Sequence, residues 1–281
     1  MQLVSYLSPG FPALLFELLA DRLGAEVTFE TATSGPPADQ DPFRDGTYDL
    51  GWICSTSFVD LALRPPDPSV VLAGVAWVPD DPDSLGRPVY FGDLVVPIGS
   101  DIQALSDLAG RRIGCNDVVS LSGHHALRFA LADLGEDPSD FAELVFTGGH
   151  HRSLDALLAG DLDACVVDSV VRTRRARHDP AVAELPVIER LGPWPVQPLV
   201  ARAGLDATRL ADVRRTLLAA DDPDVGAALH DAGLSRLVEV DEHHYASVRE
   251  ALARASTNAQ PDSIRRASSM PTISNASAVH R

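Results

Sequence analysis

Along this chain, short apolar runs alternate with stretches in which hydrophobic residues return every three or four positions. The runs predict strands at residues 3–6, 26–30, 50–54, 70–77, 89–96, 112–116, 143–146, 164–168, 187–190 and 199–201. The periodic stretches predict helices at 12–23, 56–63, 105–108, 122–134, 152–159, 169–177, 207–220, 224–232 and 242–255. Strand–helix alternation of this kind predicts an α/β protein with parallel sheets flanked by helices. Pro- and Asp-rich loops at 34–42, 64–68 and 79–88 separate the elements. From residue 256 the periodicity stops and Ser, Asn and Pro take over, which predicts a disordered tail over 256–281. Within that tail R-R-A-S-S resembles a basophilic kinase site, a pattern short enough to arise by chance.

A chain of 281 residues has room for one large domain or for two lobes, each with its own core. Forty acidic against 23 basic residues give a formal charge of −17. That argues against nucleic acid as the main partner and gives no long-range attraction for anions, so an anion site here must be local. Every basic residue is Arg; none is Lys. Three cysteines, Cys54, Cys115 and Cys165, each sit in an apolar strand-like run, which predicts buried free thiols. No run approaches the roughly 18 apolar residues of a membrane span, so no direct membrane insertion is expected. The N-terminus enters a strand without the basic and apolar regions of a secretory signal. The chain therefore reads as cytoplasmic as written, or as extracytoplasmic if a signal was removed or lies upstream.

Candidate chemistry gathers where strands run into helices. After the strand at 112–116, Ser120, Ser122 and Gly123 surround the first turn of a helix, where backbone N–H groups and hydroxyls can meet an anion. The same serines serve equally as simple N-caps. In T-G-G-H-H the glycines permit a tight turn and His150 opens a helix, where it can donate to an anion and take up charge near neutral pH. Asp168 ends a buried strand, as a ligand contact or a helix cap. Nearer the N-terminus, Ser8 lies in a strand-to-helix turn, and G-W-I-C-S-T-S-F offers Trp52 as a wall and Ser55 and Thr56 as donors. Tyr90 on the strand at 89–96 is the best aromatic contact; Trp194 and Gln197 follow. The adjacent histidine pairs diverge around a helix and make no chelate, no cofactor fingerprint is present, and no catalytic residues are assigned.

The ordered segments D-V-V-S-L-S-G (117–123), T-G-G-H-H-R-S-L (147–154) and G-D-L-D-A-C-V-V-D-S (160–169) resemble the ligand-binding core of the phosphonate/phosphate-type periplasmic solute-binding proteins. That family contains the phosphonate-binding component of ABC transporters, and the resemblance runs over roughly residues 1–255. It implies a type 2 periplasmic-binding-protein fold, two lobes each with a mainly parallel sheet, with the ligand cleft between them. Lobe one would be 1–93 with 190–255, and lobe two 94–189. The implied function is monomeric capture of a small phosphonate- or phosphate-like oxyanion for an ABC permease. By the resemblance Ser120, Ser122 and Gly123 hold phosphonate oxygens, His150 and Tyr90 face the cleft, and His151 turns outward. Leu121 stands where phosphonate binders carry a hydroxyl residue; with a Trp-rich wall, that suggests a larger, less charged ligand. The same fold also serves cytosolic enzymes of menaquinone and thiamine pathways, for which His150 and Asp168 are the only available pair, and ligand sensors.

Overall fold

The computed structural model describes residues 1–36, 40–62, 67–219 and 222–258. Among these the strands are β1 (Gln2–Ser5), β2 (Glu26–Phe29), β3 (Leu50–Trp52), β4 (Val70–Leu72), β5 (Val75–Pro79), β6 (Val89–Val95), β7 (Arg112–Cys115), β8 (Glu143–Phe146), β9 (Ala164–Asp168), β10 (Val187–Pro195), β11 (Leu199–Arg202) and β12 (Leu234–Glu239). The α-helices are α1 (Ala13–Leu23), α2 (Ser55–Ala62), α3 (Ala126–Asp133), α4 (Pro138–Phe141), α5 (His150–Leu158), α6 (Ser169–Ala176), α7 (Pro180–Ala183), α8 (Ala207–Leu218), α9 (Pro223–Asp231) and α10 (Ala246–Asn258).

Two five-stranded sheets form the two lobes, with strand orders β2-β1-β3-β11-β4 and β10-β6-β9-β7-β8. Their pairing is mixed, where mainly parallel sheets were expected. In the first, β1 runs parallel to β2 and β3, but β11 is antiparallel to both β3 and β4. In the second, β7 is parallel to β8 and β9, while β6 is antiparallel to β9 and β10. The reason is the route of the chain: it enters the second sheet with β6 and leaves it with β10, so each sheet receives a strand running back. Tyr90 lies opposite Trp194 and Val89 opposite Pro195, which puts the two passages between the sheets side by side.

The expected strand at 70–77 is two strands, because Gly74 takes a left-handed φ of 80° that no extended strand tolerates. The Arg214 guanidinium packs over the face a side chain would occupy there. Strand β12, absent from the sequence reading, pairs antiparallel with β5. Helix α10 continues through Asn258, and the remainder of the expected tail lies outside the described residues.

A core in the first lobe centres on Trp52 and Trp77, stacked at 4.6 Å and both fully buried. In the second lobe, Leu94, Ile113, Leu127 and Val166 pack on one face of the sheet, and Val95, Leu154, Leu157 and Val167 on the other. All three cysteines are free and buried.

Candidate functional site

A cavity of about 250 Å³ opens between the lobes. Its first-lobe wall comes from the turn after β1 (Tyr6, Leu7, Ser8, Pro9, Gly10, Phe11), from Thr31, Thr33 and Ser34, and from Cys54. The second lobe supplies Asn116, Asp117, Ser120 and Ser122 after β7, and Gly148 to Arg152 at the start of α5. Tyr90, Asp168, Val171 and Gln197 complete it. Burial gives it depth: Tyr90, Ser120, Ser122, Asp168 and Gln197 are nearly inaccessible, whereas Thr31, Pro9 and Arg152 are exposed.

Six of the sequence candidates therefore meet at one cavity: Ser8, Tyr90, Ser120, Ser122, His150 and Asp168. Four do not line it. Trp52 is fully buried in the core against Trp77, because strand β3 turns that side chain inward. Ser55 is occupied elsewhere, its Oγ donating to the carbonyls of Pro195 and Val196 at 3.1 Å. Thr56 donates to the Val119 carbonyl of the facing lobe. Gly123 lies behind the wall, where its missing side chain gives room to Asn116 and His150. Leu121 is likewise core, its N–H donating to Cys54 Sγ at 3.1 Å, so neither it nor Trp52 shapes the ligand space. His151, expected to turn outward, is partly buried in the cavity wall beside the Pro9 carbonyl. Of the weaker candidates, Gln197 lines the cavity and Trp194 does not.

The helix starts differ in how their N–H groups are satisfied. Between β7 and α3 a single π-helical turn, Leu121–His125, begins at Ser120, whose Oγ accepts the Gly123 N–H at 3.1 Å. Asp168 caps α6 through Val170 and Val171. Helices α1 and α5 have no side-chain cap, and both begin beside the cavity, one from each lobe. The start of α5 lies in the cavity wall with its first-turn N–H groups uncapped, whereas α1 only follows the lining residues Gly10 and Phe11, and its Leu15 N–H donates to the Pro12 carbonyl at 3.2 Å. Two further polar atoms of lining residues are buried, the Tyr90 hydroxyl beside Ser122 and Gln197 Oε1, which has no hydrogen-bond partner.

His150 Nδ1 accepts the Asp168 N–H at 3.3 Å, which leaves the ring proton on Nε2 as a donor. Loss of water around the ring, with His151 adding to it, pushes its pKa down to about 3. The imidazole is thus neutral at physiological pH, contrary to the expected charging, and it serves as a hydrogen-bond donor. Asp168 is shifted the other way: burial raises its pKa to about 7 despite hydrogen bonds from Val171, Gln197 and Val170. Gln197 Nε2 reaches its Oδ2 at 2.9 Å. Asp117, also raised by burial, accepts the Ser34 N–H at 3.0 Å and its hydroxyl at 2.6 Å across the cleft. Asn116 Nδ2 donates to the same Ser34 hydroxyl at 2.8 Å, so the lobes are held together at this edge.

These shifts predict a pH signature. The folded protein holds the Asp168 proton up to about pH 7, whereas an unfolded aspartate releases it near pH 4 (about). The contribution of Asp168 to stability is thus complete below about pH 4 and is lost as pH rises to about 7. Asparagine caps helices as well as aspartate does, so Asp168→Asn is expected to remove this loss. Denaturant midpoints of the two proteins should converge at pH 4–5 (about) and separate in favour of the variant at about pH 8. Parallel pH profiles would contradict the assignment.

Among the described residues no group of three His, Cys, Asp or Glu is placed to hold a metal ion, and no helix is long and apolar enough to cross a membrane.

Several solved structures share this architecture. A binding-protein component of an ABC phosphonate transporter from Pseudomonas aeruginosa superposes with a TM-score of 0.73 at 15% identity, over 92% of this chain and 87% of that one. PhnD1 from Prochlorococcus marinus, solved in complex with methylphosphonate, gives a TM-score of 0.73 at 17% identity, over 91% and 98%. A Xanthomonas citri protein solved bound to ATP gives 0.70 at 18%, over 92% and 99%. At these identities the likeness carries the two-lobe fold. The family is carried by sequence: a family model described as the periplasmic substrate-binding protein of phosphonate ABC transporters matches residues 13–245. With most of its length matched, this chain belongs to the family of periplasmic substrate-binding proteins of phosphonate ABC transporters.

Proposed function

We propose that this chain captures a small phosphonate-type oxyanion between its lobes and delivers it to an ABC permease outside the cytoplasm. One observation carries the reading. The uncapped start of α5, whose residues His150 to Arg152 line the cavity, faces the first-lobe turn Ser8–Phe11, and Tyr90, Ser120 and Ser122 line the same space. Neutral donors replace the hydration of the anion: first-turn N–H groups, Ser122, Tyr90 and His150 Nε2. Because donors come from both lobes, the anion binds the closed form better than the open one, and closure follows binding. Asp168 accepts a proton or ammonium carried by the ligand, or itself stays protonated and donates. One chain supplies both walls, which supports a monomeric working unit.

Saturating ligand is expected to raise the melting temperature by about 5–10 °C, the effect of binding only the native state at a large excess over Kd. A thermal-shift screen of the full chain against phosphate, phosphite, methylphosphonate and methanesulfonate reads this out. The shift from the best oxyanion should shrink in Ser122→Ala and in His150→Ala. No shift with any of the four would reject capture of an oxyanion.

A further inference from the structure

The first turn of α5 brings one strongly cationic group to the cavity, and no group among the described residues pairs with it. Arg152 is the sole arginine among the described lining residues, and the sequence has no lysine. It makes no ion pair or hydrogen bond among the described residues, in a chain of net charge −17. Its neighbour Arg175 shows the contrast, being paired with Asp155 at 2.6 Å and Asp179 at 3.0 Å. The Arg152 guanidinium folds over the Gly148 turn, with Nη1 only 2.9 Å from where a Gly148 Cβ would sit. Gly148 has φ 78°, so the turn both requires glycine and leaves the space that the guanidinium fills. Arg152 is exposed, whereas Tyr90, Ser122 and Asp168 lie at the buried floor. The floor already offers neutral donors for one oxyanion, and the uncapped start of α5 lies between floor and mouth.

We infer that Arg152 forms a second anionic subsite at the cavity mouth, and that the preferred ligand is a phosphonate-type oxyanion bearing a further carboxylate or phosphoryl group. A planar guanidinium binds such a group by two parallel hydrogen bonds. The cavity lining is also partly apolar, through Tyr6, Leu7, Phe11 and Val171, which suits a short carbon linker. This inference rests on oxyanion capture and names its ligand class.

Calorimetric titration of the full chain with methylphosphonate, propylphosphonate, phosphonoacetate and 3-phosphonopropanoate tests it, in the wild type and in Arg152→Gln and Arg152→Lys. A carboxylated phosphonate should bind about 10–100-fold tighter than the alkylphosphonates, as for a charge-assisted pair. That advantage should disappear in Arg152→Gln and return in part in Arg152→Lys, with methylphosphonate losing less affinity than the carboxylated ligands. Equal weakening of all four ligands, or no preference for the carboxylated ones in the wild type, would overturn the second subsite while leaving oxyanion capture intact. Failure of all four to bind the wild type would overturn the second subsite, and oxyanion capture falls with it where phosphate, phosphite and methanesulfonate give no thermal shift either.

Discussion

Replacing Asp93 by alanine is expected to lower the unfolding free energy by about 3–5 kcal/mol, the cost of stranding buried charge. Asp93 sits in the middle of β6 with its side chain fully buried. Arg172 Nε on α6 approaches one carboxylate oxygen at 2.6 Å, and Arg190 Nε on β10 approaches the other at 3.0 Å. Arg190 also reaches Asp81 and Asp83 in the loop before β6, and lies over the Phe91 ring at 4.3 Å. Without Asp93, Arg190 keeps those partners but Arg172 loses its ion pair, with its side chain 19% exposed. The hub ties together β6 and β10, the strands by which the chain enters and leaves the second sheet, so local relaxation offers little relief. A fall in melting temperature of roughly 10 °C should accompany the loss. Urea unfolding with two probes gives the free energy, and a loss below about 1 kcal/mol would show that water compensates the arginines.

How much of this could be read from the chain follows from how local each signal is. Ser120, Ser122, His150 and Asp168 all stand at strand-to-helix junctions, and apolar runs ending in small or polar residues mark such junctions directly. All four reach the cavity, as do Ser8 and Tyr90. Trp52 failed for the opposite reason: a tryptophan on a short buried strand faces core or cleft depending on what packs against that sheet, here Trp77 from β5. Ser55 and Thr56 open a helix as expected, but their hydroxyls are taken by carbonyls far away in sequence. Asn116, Asp117 and Ser34 were missed because their meeting exists only once the lobes close, across more than 80 residues of chain. Arg152 was passed over beside two histidines; its meaning lies in the counter-charge it lacks, a property of the folded surroundings. Strand β12 escaped because L-S-R-L-V-E has two polar residues breaking its apolar run and a single strand as partner.

Gly123→Ala is expected to weaken methylphosphonate binding by about 100-fold, the loss of one or two charge-assisted hydrogen bonds at about 1.5–3 kcal/mol each. A Cβ at this position would lie 2.6 Å from Asn116 Cβ, 2.8 Å from His150 Cε1 and 3.0 Å from Ser120 Oγ. None of the three yields without harm to the site. Asn116 is anchored through its own N–H to the Gly123 carbonyl at 3.0 Å and through its side chain to Ser34 at 2.8 Å. Ser120 caps the turn through the Gly123 N–H itself. His150 is the group with most freedom, and swinging it away breaks the bond from the Asp168 N–H and carries the Nε2 donor off the cavity. The glycine is thus kept by the close approach of two second-lobe segments, and its backbone needs no left-handed φ. Gly226→Ala is the control: a Cβ there meets nothing within 4 Å, and α9 gains a better helix former. That variant should bind as the wild type does and unfold slightly later. Undiminished binding by Gly123→Ala in calorimetry would mean that His150 contributes no hydrogen bond to the anion, and that the first-turn amides and hydroxyls hold it alone.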